Sequence, residues 1–316
     1  MSALVLRPDF GRGIAYCDDA EPDAGDAVLL IGLAKSEAIE LPVQAGAAAD
    51  VMRLCQLAAL PYEQMARTVS QEASLAARVL QMANTAHYAS TRPVANISHA
   101  IVRVGENGLR SVLLSAASGR VFHVRGQPEL TQRLQVRAVA VAVAVESVLR
   151  RVGNDREDAF AAGFLHDIGW SIGVGIAARY RSQLPPVWAT EPKGMLAAVE
   201  QAHAELGEIV ANRWRFPPAL GAAIRWHHDP ESATVGAPVA YAVAAGIALV
   251  DQLGVHAGGP AAAADHPVFV RLRLNADQQV EVRRDVWVEL ERLRLVQDRR
   301  RTVHNVLRDR RRKKAN

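Results

Sequence analysis

From about Glu37 to Gly254, apolar residues recur every three to four positions, the spacing of amphipathic helices. In PYEQMARTVSQEASLAARVLQMANTAHY, the residues Met65, Val69, Leu75, Val79 and Met82 follow this rhythm. A break is expected around 71–74, with Ser74 capping the second helix. The stretch 91–96 contains Pro93 and reads as a loop, after which Ser98 opens a segment interrupted by Gly105 to Gly108. That gives a helix–turn–helix outline. No basic cluster borders the turn, so two packed core helices are expected rather than a DNA reader.

The run AVAVAVAV within 138–145 alternates with period two, which alone indicates a strand. It is half alanine, the strongest helix former, and its flanking charges suit helix ends, so a buried helix is predicted. Two short apolar runs, Val28 to Leu33 and Val268 to Asn275, are read as strands, the first in a hairpin. Residues 257–264 read as an Ala/Gly linker, and an Arg-rich helix is expected from about Asp285 onward. The uncharged run from Ser232 to Val250 approaches the length of a membrane span, yet it is rich in Ala and Gly and contains Pro238. A buried helix beside a polar site fits it better.

Charge changes the picture in one place. Of the 316 residues, 37 are Lys or Arg and 33 are Asp or Glu, for a net +4. Residues 298–316 hold seven Arg, two Lys and two Asp, so the remainder is mildly acidic. A nucleic-acid-binding surface covering the body is thereby disfavoured. The basic tail is a solvated helix that could engage an acidic protein, RNA or an anionic membrane surface, although it lacks the aromatics needed for base stacking. Two cysteines, Cys17 and Cys55, without metal-ligand spacing fit a reducing compartment. With no signal-peptide pattern at the N-terminus, a soluble cytoplasmic protein is expected.

The candidate chemistry lies in histidine and aspartate. His166 and Asp167 are adjacent inside the apolar segment AFAAGFLHDIGW; His203 lies in EQAHAELG, His227 and His228 in IRWHHDP, and Asp251 ends the uncharged run. Burying an adjacent His–Asp pair is costly without partners. Imidazoles and carboxylates on different helices of a bundle can converge on a divalent metal, whose bound water becomes a nucleophile at neutral pH. The alternative for the same residues is a hydrogen-bonded polar network joining buried helices. Trp214, Phe216, Leu220 and Trp226 are read as core packing rather than a ligand groove.

FLHDIG, then AHAELG, then RWRFPPALGAAIRWHHDP together resemble the HD superfamily, and specifically the HDOD domain, a bacterial signalling relative of HD phosphohydrolases. LPVQAGAAADVMRLC, SLAARVLQMANTAHY with Asn84, and ISHAIVRVG are similar to the family's N-terminal helices, in order, over about Leu41 to Gly254. The resemblance implies an all-α, HD-superfamily-like multi-helix bundle at 37–256. It would be preceded by a short segment, 1–36, carrying the hairpin, and followed at 257–316 by a linker and basic helix. It also implies that His166, Asp167, His203, His227, His228 and Asp251 occupy metal-ligand positions. Two departures bear on function. The first metal-binding histidine of the HD pattern is replaced by Arg137, which stays protonated and cannot ligate a metal. Its charge can instead pair with Asp167 or Asp251. The lysine that often follows HDIG in cyclic-dinucleotide phosphodiesterases is Trp170 here.

These features favour a non-catalytic signal-transduction or scaffold module without a cofactor, acting through protein–protein contacts in cyclic-dinucleotide or two-component regulation. Its partner would be a cyclic-dinucleotide enzyme or a response regulator, and a homodimer is compatible. The competing expectation is a divergent phosphohydrolase acting on a nucleotide or cyclic dinucleotide with Mn, Fe or Zn. A third is a nucleic-acid adaptor working through the tail.

Overall fold

The computed structural model describes residues 24–36, 60–84, 94–122, 124, 127–154, 156, 158–189, 192–255, 265–292 and 295. Among these, every regular element is helical. The tail from 296, the linker at 257–264, both cysteines and the family-like segment at 41–55 lie outside them.

The stretch 24–36 departs from the expected hairpin. Ala24–Lys35 is helix α1, with Ala27, Leu30 and Ala34 buried at helical spacing while Val28 and Leu29 face solvent. A six-residue apolar run has no decisive period of its own, and the helix that receives it settles the matter. Arg213 donates to the carbonyls of Ala34 (2.7 Å) and Ser36 (2.9 Å), satisfying acceptors at the α1 C-terminus. Lys35 pairs with Glu205 at 2.7 Å.

Helices α2 (Tyr62–Gln71) and α3 (Ala73–Ala83) meet at Glu72, whose extended backbone makes the break. Glu72 occupies the position that Ser74 was expected to fill. The Ser74 hydroxyl lies inside the helix and donates to the Glu72 carboxylate. Asn84 ends α3 and clamps the following loop. Its amide donates to Val94 O (2.8 Å) and Leu80 O (3.0 Å), and its oxygen accepts from Val94 N (2.7 Å). Asn96, two residues before Ser98, caps α4 (Ile97–Val121) by accepting from Ser98 N and His99 N. Gly105, at φ 67°, kinks α4 where the interruption was read.

Helix α5 (Pro128–Arg151) contains the alternating run and is buried on nearly every side. A helix apolar all round belongs at a core centre. Around it pack α6 (Ala159–Leu165) and α10 (Ala237–Asp251), the helix made by the uncharged run. Helices α7 (Ile168–Arg179), α8 (Pro192–Arg213) and α9 (Pro218–Trp226) complete the body, α7 and α1 lying on α8 and α9 bridging α8 to α10. The segment Ala159–Arg179 is long and apolar enough to cross a membrane by composition, but 83% of its window is buried inside the protein.

The second expected strand is instead a short helix, α11 (Pro267–Arg271), followed by a turn, with Pro267 at the first helical position and His266 Nδ1 accepting from Val268 N. Helix α12 (Ala276–Arg292) starts well before Asp285. Asn275 and Gln278 exchange side-chain bonds with each other's backbone N–H, both 2.9 Å, a capping box legible in the sequence NADQ. It packs on α5 through Arg151–Glu281 (3.1 Å), Arg151–Asp285 (2.9 Å) and Ser147–Asp285 (2.7 Å).

Candidate metal centre and its arginine

His166 ends α6 and Asp167 precedes α7, so one tight junction presents both side chains to the core. The next glycine explains why the junction can sit there. A β-carbon on Gly169 would fall 1.8 Å from His203 O, so α7 crosses α8 with backbones in contact, placing Asp167 over His203. His227 and His228 follow the last turn of α9, and Asp251 closes α10.

Arg137, buried in mid-α5, joins the two carboxylates. Its Nε donates to Asp167 Oδ2 at 3.1 Å, and its Nη1 to Asp251 Oδ1 at 2.5 Å and Val255 O at 3.0 Å. Asp167 Oδ2 is also 3.0 Å from His166 Nε2, a nitrogen without hydrogen-bond geometry to any partner. Asp167 Oδ1 faces His203 Nε2 at 3.5 Å and His227 Nε2 at 3.8 Å. The structure thus brings together all seven side chains singled out in the sequence.

The imidazoles share one orientation. His166, His203 and His227 each set Nδ1 against the carbonyl three residues earlier, at 2.7, 2.5 and 2.7 Å. A carbonyl only accepts, so each Nδ1 carries a proton, and in a neutral ring Nε2 is left with a lone pair. His203 Nε2 then lies 3.2 Å from His227 Nε2 and 3.0 Å from His228 Nε2. Two lone pairs facing each other at that distance require a cation or proton between them. One ring nitrogen from each of the three residues lies within 4.8 Å of the other two. Tetrahedral zinc, with Zn–N of about 2.0–2.1 Å, needs donors about 3.3–3.5 Å apart. By donor chemistry His203, His227 and His228 fit a transition metal. The space between Asp167 and Asp251 does not, because the guanidinium fills it.

Electrostatics follow from this crowding. Burial favours the protonated form of Asp167, but its contacts with His166, the Arg137 guanidinium and His203 outweigh it and hold the carboxyl well below its ordinary value. Burial, then the neighbouring imidazoles, pushes His227 well below its ordinary value and His228 to about 4. Both are therefore neutral at pH 7. In the unfolded chain they would protonate near pH 6.5. Because the unfolded state binds more protons between about 6.5 and 4, stability should fall as pH drops through that window. Urea unfolding in chelator at pH 7, 5.5 and 4.5 checks this: the midpoint should drop steadily, and less steeply in His228→Gln. A midpoint that stays level would contradict it.

The three-histidine cluster is reached from a groove with two lobes, of about 320 and 460 Å³, which meet at His228 and Asp229. The first lies between α10 and α11 and includes Tyr241, Ile247 and Arg271; the second includes Glu200, Gln201 and Trp226. Trp170 is buried with its ring 6.0 Å from that of His203. Phe216 and Leu220 are buried core, and Trp214 packs edge-on to Phe216 at 5.5 Å, as the packing reading expects. Trp226 instead lines the second lobe, with Arg225 4.3 Å over its ring. Val255 O, Tyr241 and Arg271 are site-lining groups that sequence reasoning missed. Glu200, whose carbonyl orients His203, was signalled by its place three residues earlier on the same helix.

The HDOD domain profile matches residues 41–230, more than half of the chain. This chain belongs to the HDOD family. Asp251 lies beyond the matched stretch. A Treponema pallidum (strain Nichols) protein of uncharacterised function is 26% identical over 167 residues, covering 51% of this chain, which spans only 32% of that protein. Among solved structures, an HDOD domain protein of unknown function from Geobacter sulfurreducens is 21% identical with a TM-score of 0.53, covering 84% of this chain and 95% of its own. A Shewanella amazonensis SB2B protein with a provisional metal-dependent phosphohydrolase name is 20% identical with a TM-score of 0.55, covering 84% and 99%. A Marinobacter aquaeolei VT8 protein, provisionally named for signal transduction, is 18% identical with a TM-score of 0.58, covering 86% of this chain and 64% of its own. At these identities the structural likeness concerns the fold, an HDOD helical bundle.

Proposed function

We propose that this HDOD chain is a non-catalytic signalling module that acts by holding a protein partner, in cyclic-dinucleotide or two-component regulation. The observation that carries this reading is the guanidinium of Arg137 between Asp167 and Asp251. Metal-assisted hydrolysis needs a cation with an open position for water between such carboxylates. A guanidinium supplies charge and five N–H donors, but it neither ligates water nor acidifies it. HDOD membership and the signal-transduction name of the Marinobacter relative support the signalling part. The proposed partner is a cyclic-dinucleotide enzyme or response regulator, and the proposed setting is the cytoplasm.

The test is metal content per chain by mass spectrometry, on untagged protein purified without chelator, for the wild type and Arg137→His. The wild type should be inactive on phosphodiesters, and the variant should hold more metal per chain than the wild type. Robust turnover from clean wild-type protein would overturn the reading.

A second reading has its own observation, the convergence of His203, His227 and His228. These three residues would hold one Mn, Fe or Zn ion, with Asp167 Oδ1 facing them, in a divergent phosphohydrolase for a nucleotide or cyclic dinucleotide. The metal would supply Lewis acidity and an activated water. Under this reading, turnover disappears with chelator and with Asp167→Asn.

A further inference from the structure

We infer that the basic segment 296–316 docks within its own chain along the groove that leads to the three-histidine cluster. The groove has an apolar wall made by Ala244, Ile247, Ala248 and Val268, and an acidic lip formed by the exposed Asp229, which lines both lobes, and the exposed Glu231, which lines the first. Its arginines do not reverse that sign. Arg225 is paired with Glu208 at 3.4 Å and Glu205 at 3.8 Å, and Arg271 lies over the Tyr241 ring at 5.2 Å. A polyanion is thereby disfavoured, and a cationic, partly apolar strip is favoured.

The segment has that composition. Arg299 to Arg301 and Arg308 to Lys314 are its basic clusters, and between them Val303, Val306 and Leu307 stand three and four positions apart in the sequence. The chain also leads there. Pairing of Arg151 with Glu281 and Ser147 with Asp285 makes α12 antiparallel to α5, heading toward the level of Arg137. Arg283 donates to Gln252, the residue after Asp251, and Asp251 lines the groove. Leu295 still packs on the core. The 21 residues beyond it span about 30 Å as a helix and up to about 70 Å extended. Tethering gives an effective concentration of about millimolar, so modest complementarity suffices.

Carbodiimide coupling on the full chain tests the inference, because the sequence has only four lysines, Lys35, Lys193, Lys313 and Lys314. Equal amounts of unlabelled and ¹⁵N-labelled chains are mixed, coupled and mapped by mass spectrometry. The expected links join Lys313 or Lys314 to Asp229 or Glu231 within one isotope. They should fall at least about tenfold in ~0.5 M salt, which screens the attraction between the basic clusters and the acidic lip. Three results would each overturn the inference. The first is equal linking to acids away from the groove, such as Glu63 or Asp277. The second is mixed-isotope links, which would assign the tail to a second copy. The third is absence of links from nuclease-treated protein together with salt-sensitive RNA binding.

Discussion

Arg137→Ala is expected to destabilise the fold by about 3–5 kcal/mol at pH 7, because it leaves the buried Asp167 and its neighbour Asp251 without their counter-charge. The cost should also depend on pH in a defined direction. The folded-state carboxyl of Asp167 is depressed well below its ordinary value despite its burial. The associated stability is therefore present above the unfolded value, about 3.9, and is lost as pH falls through the lower folded one. Without the guanidinium Asp167 protonates more readily, so the gap between wild type and variant should narrow below about pH 4. Urea unfolding from pH 7 to 3 measures both effects. The vacated space also becomes a seat for an ion. Mn or Zn should raise the variant's midpoint much more than the wild type's, through binding to the folded state. A variant as stable as wild type at pH 7 would mean that the guanidinium is not what holds the two carboxylates.

Gly169→Ala is expected to be the other severe change. The added carbon would meet His203 O at 1.8 Å and His203 C at 2.6 Å, both backbone atoms with no rotamer by which to move aside. Helices α7 and α8 must separate, at a cost of about 3 kcal/mol or more. His203 moves with α8, so the spacing of the imidazole cluster changes as well. The contrast is Gly194→Ala in α8, where the nearest atom, Trp188 Nε1, is 3.6 Å away. That change should be neutral or stabilising by roughly 0.5–1 kcal/mol, since alanine is the better helix former. Chemical denaturation of both variants separates a clash from a propensity effect. Equal midpoints would show that the crossing is not limited by that contact.

Much of the body was legible because burial leaves a local periodic trace. The α5 run could be taken from strand to helix on alanine content and flanking charge, and the kink at Gly105 was marked by its glycine. The two misread strands share one cause. Val28 to Leu33 and Val268 to Asn275 are too short for a period to separate helix from strand, and packing chose helix for Ala24–Lys35. The start of α12 was a different kind of miss, since the Asn275–Gln278 capping box stood in the sequence and its signal went unused.

The site divides in the same way. Residue identity alone determined that position 137 carries a permanent cation unable to bind metal, that His166 and Asp167 are adjacent, and that His203, His227 and His228 can ligate. These are properties of side chains and need no fold. Only the tertiary structure decided that Arg137 reaches Asp251 across 114 positions, takes Val255 O as a third acceptor, and leaves three Nε2 atoms facing one another. Those distances depend on how closely α5, α7, α8 and α10 pack, which is set by contacts between segments far apart in sequence, whereas hydrophobic periodicity reports only which face of each helix is buried.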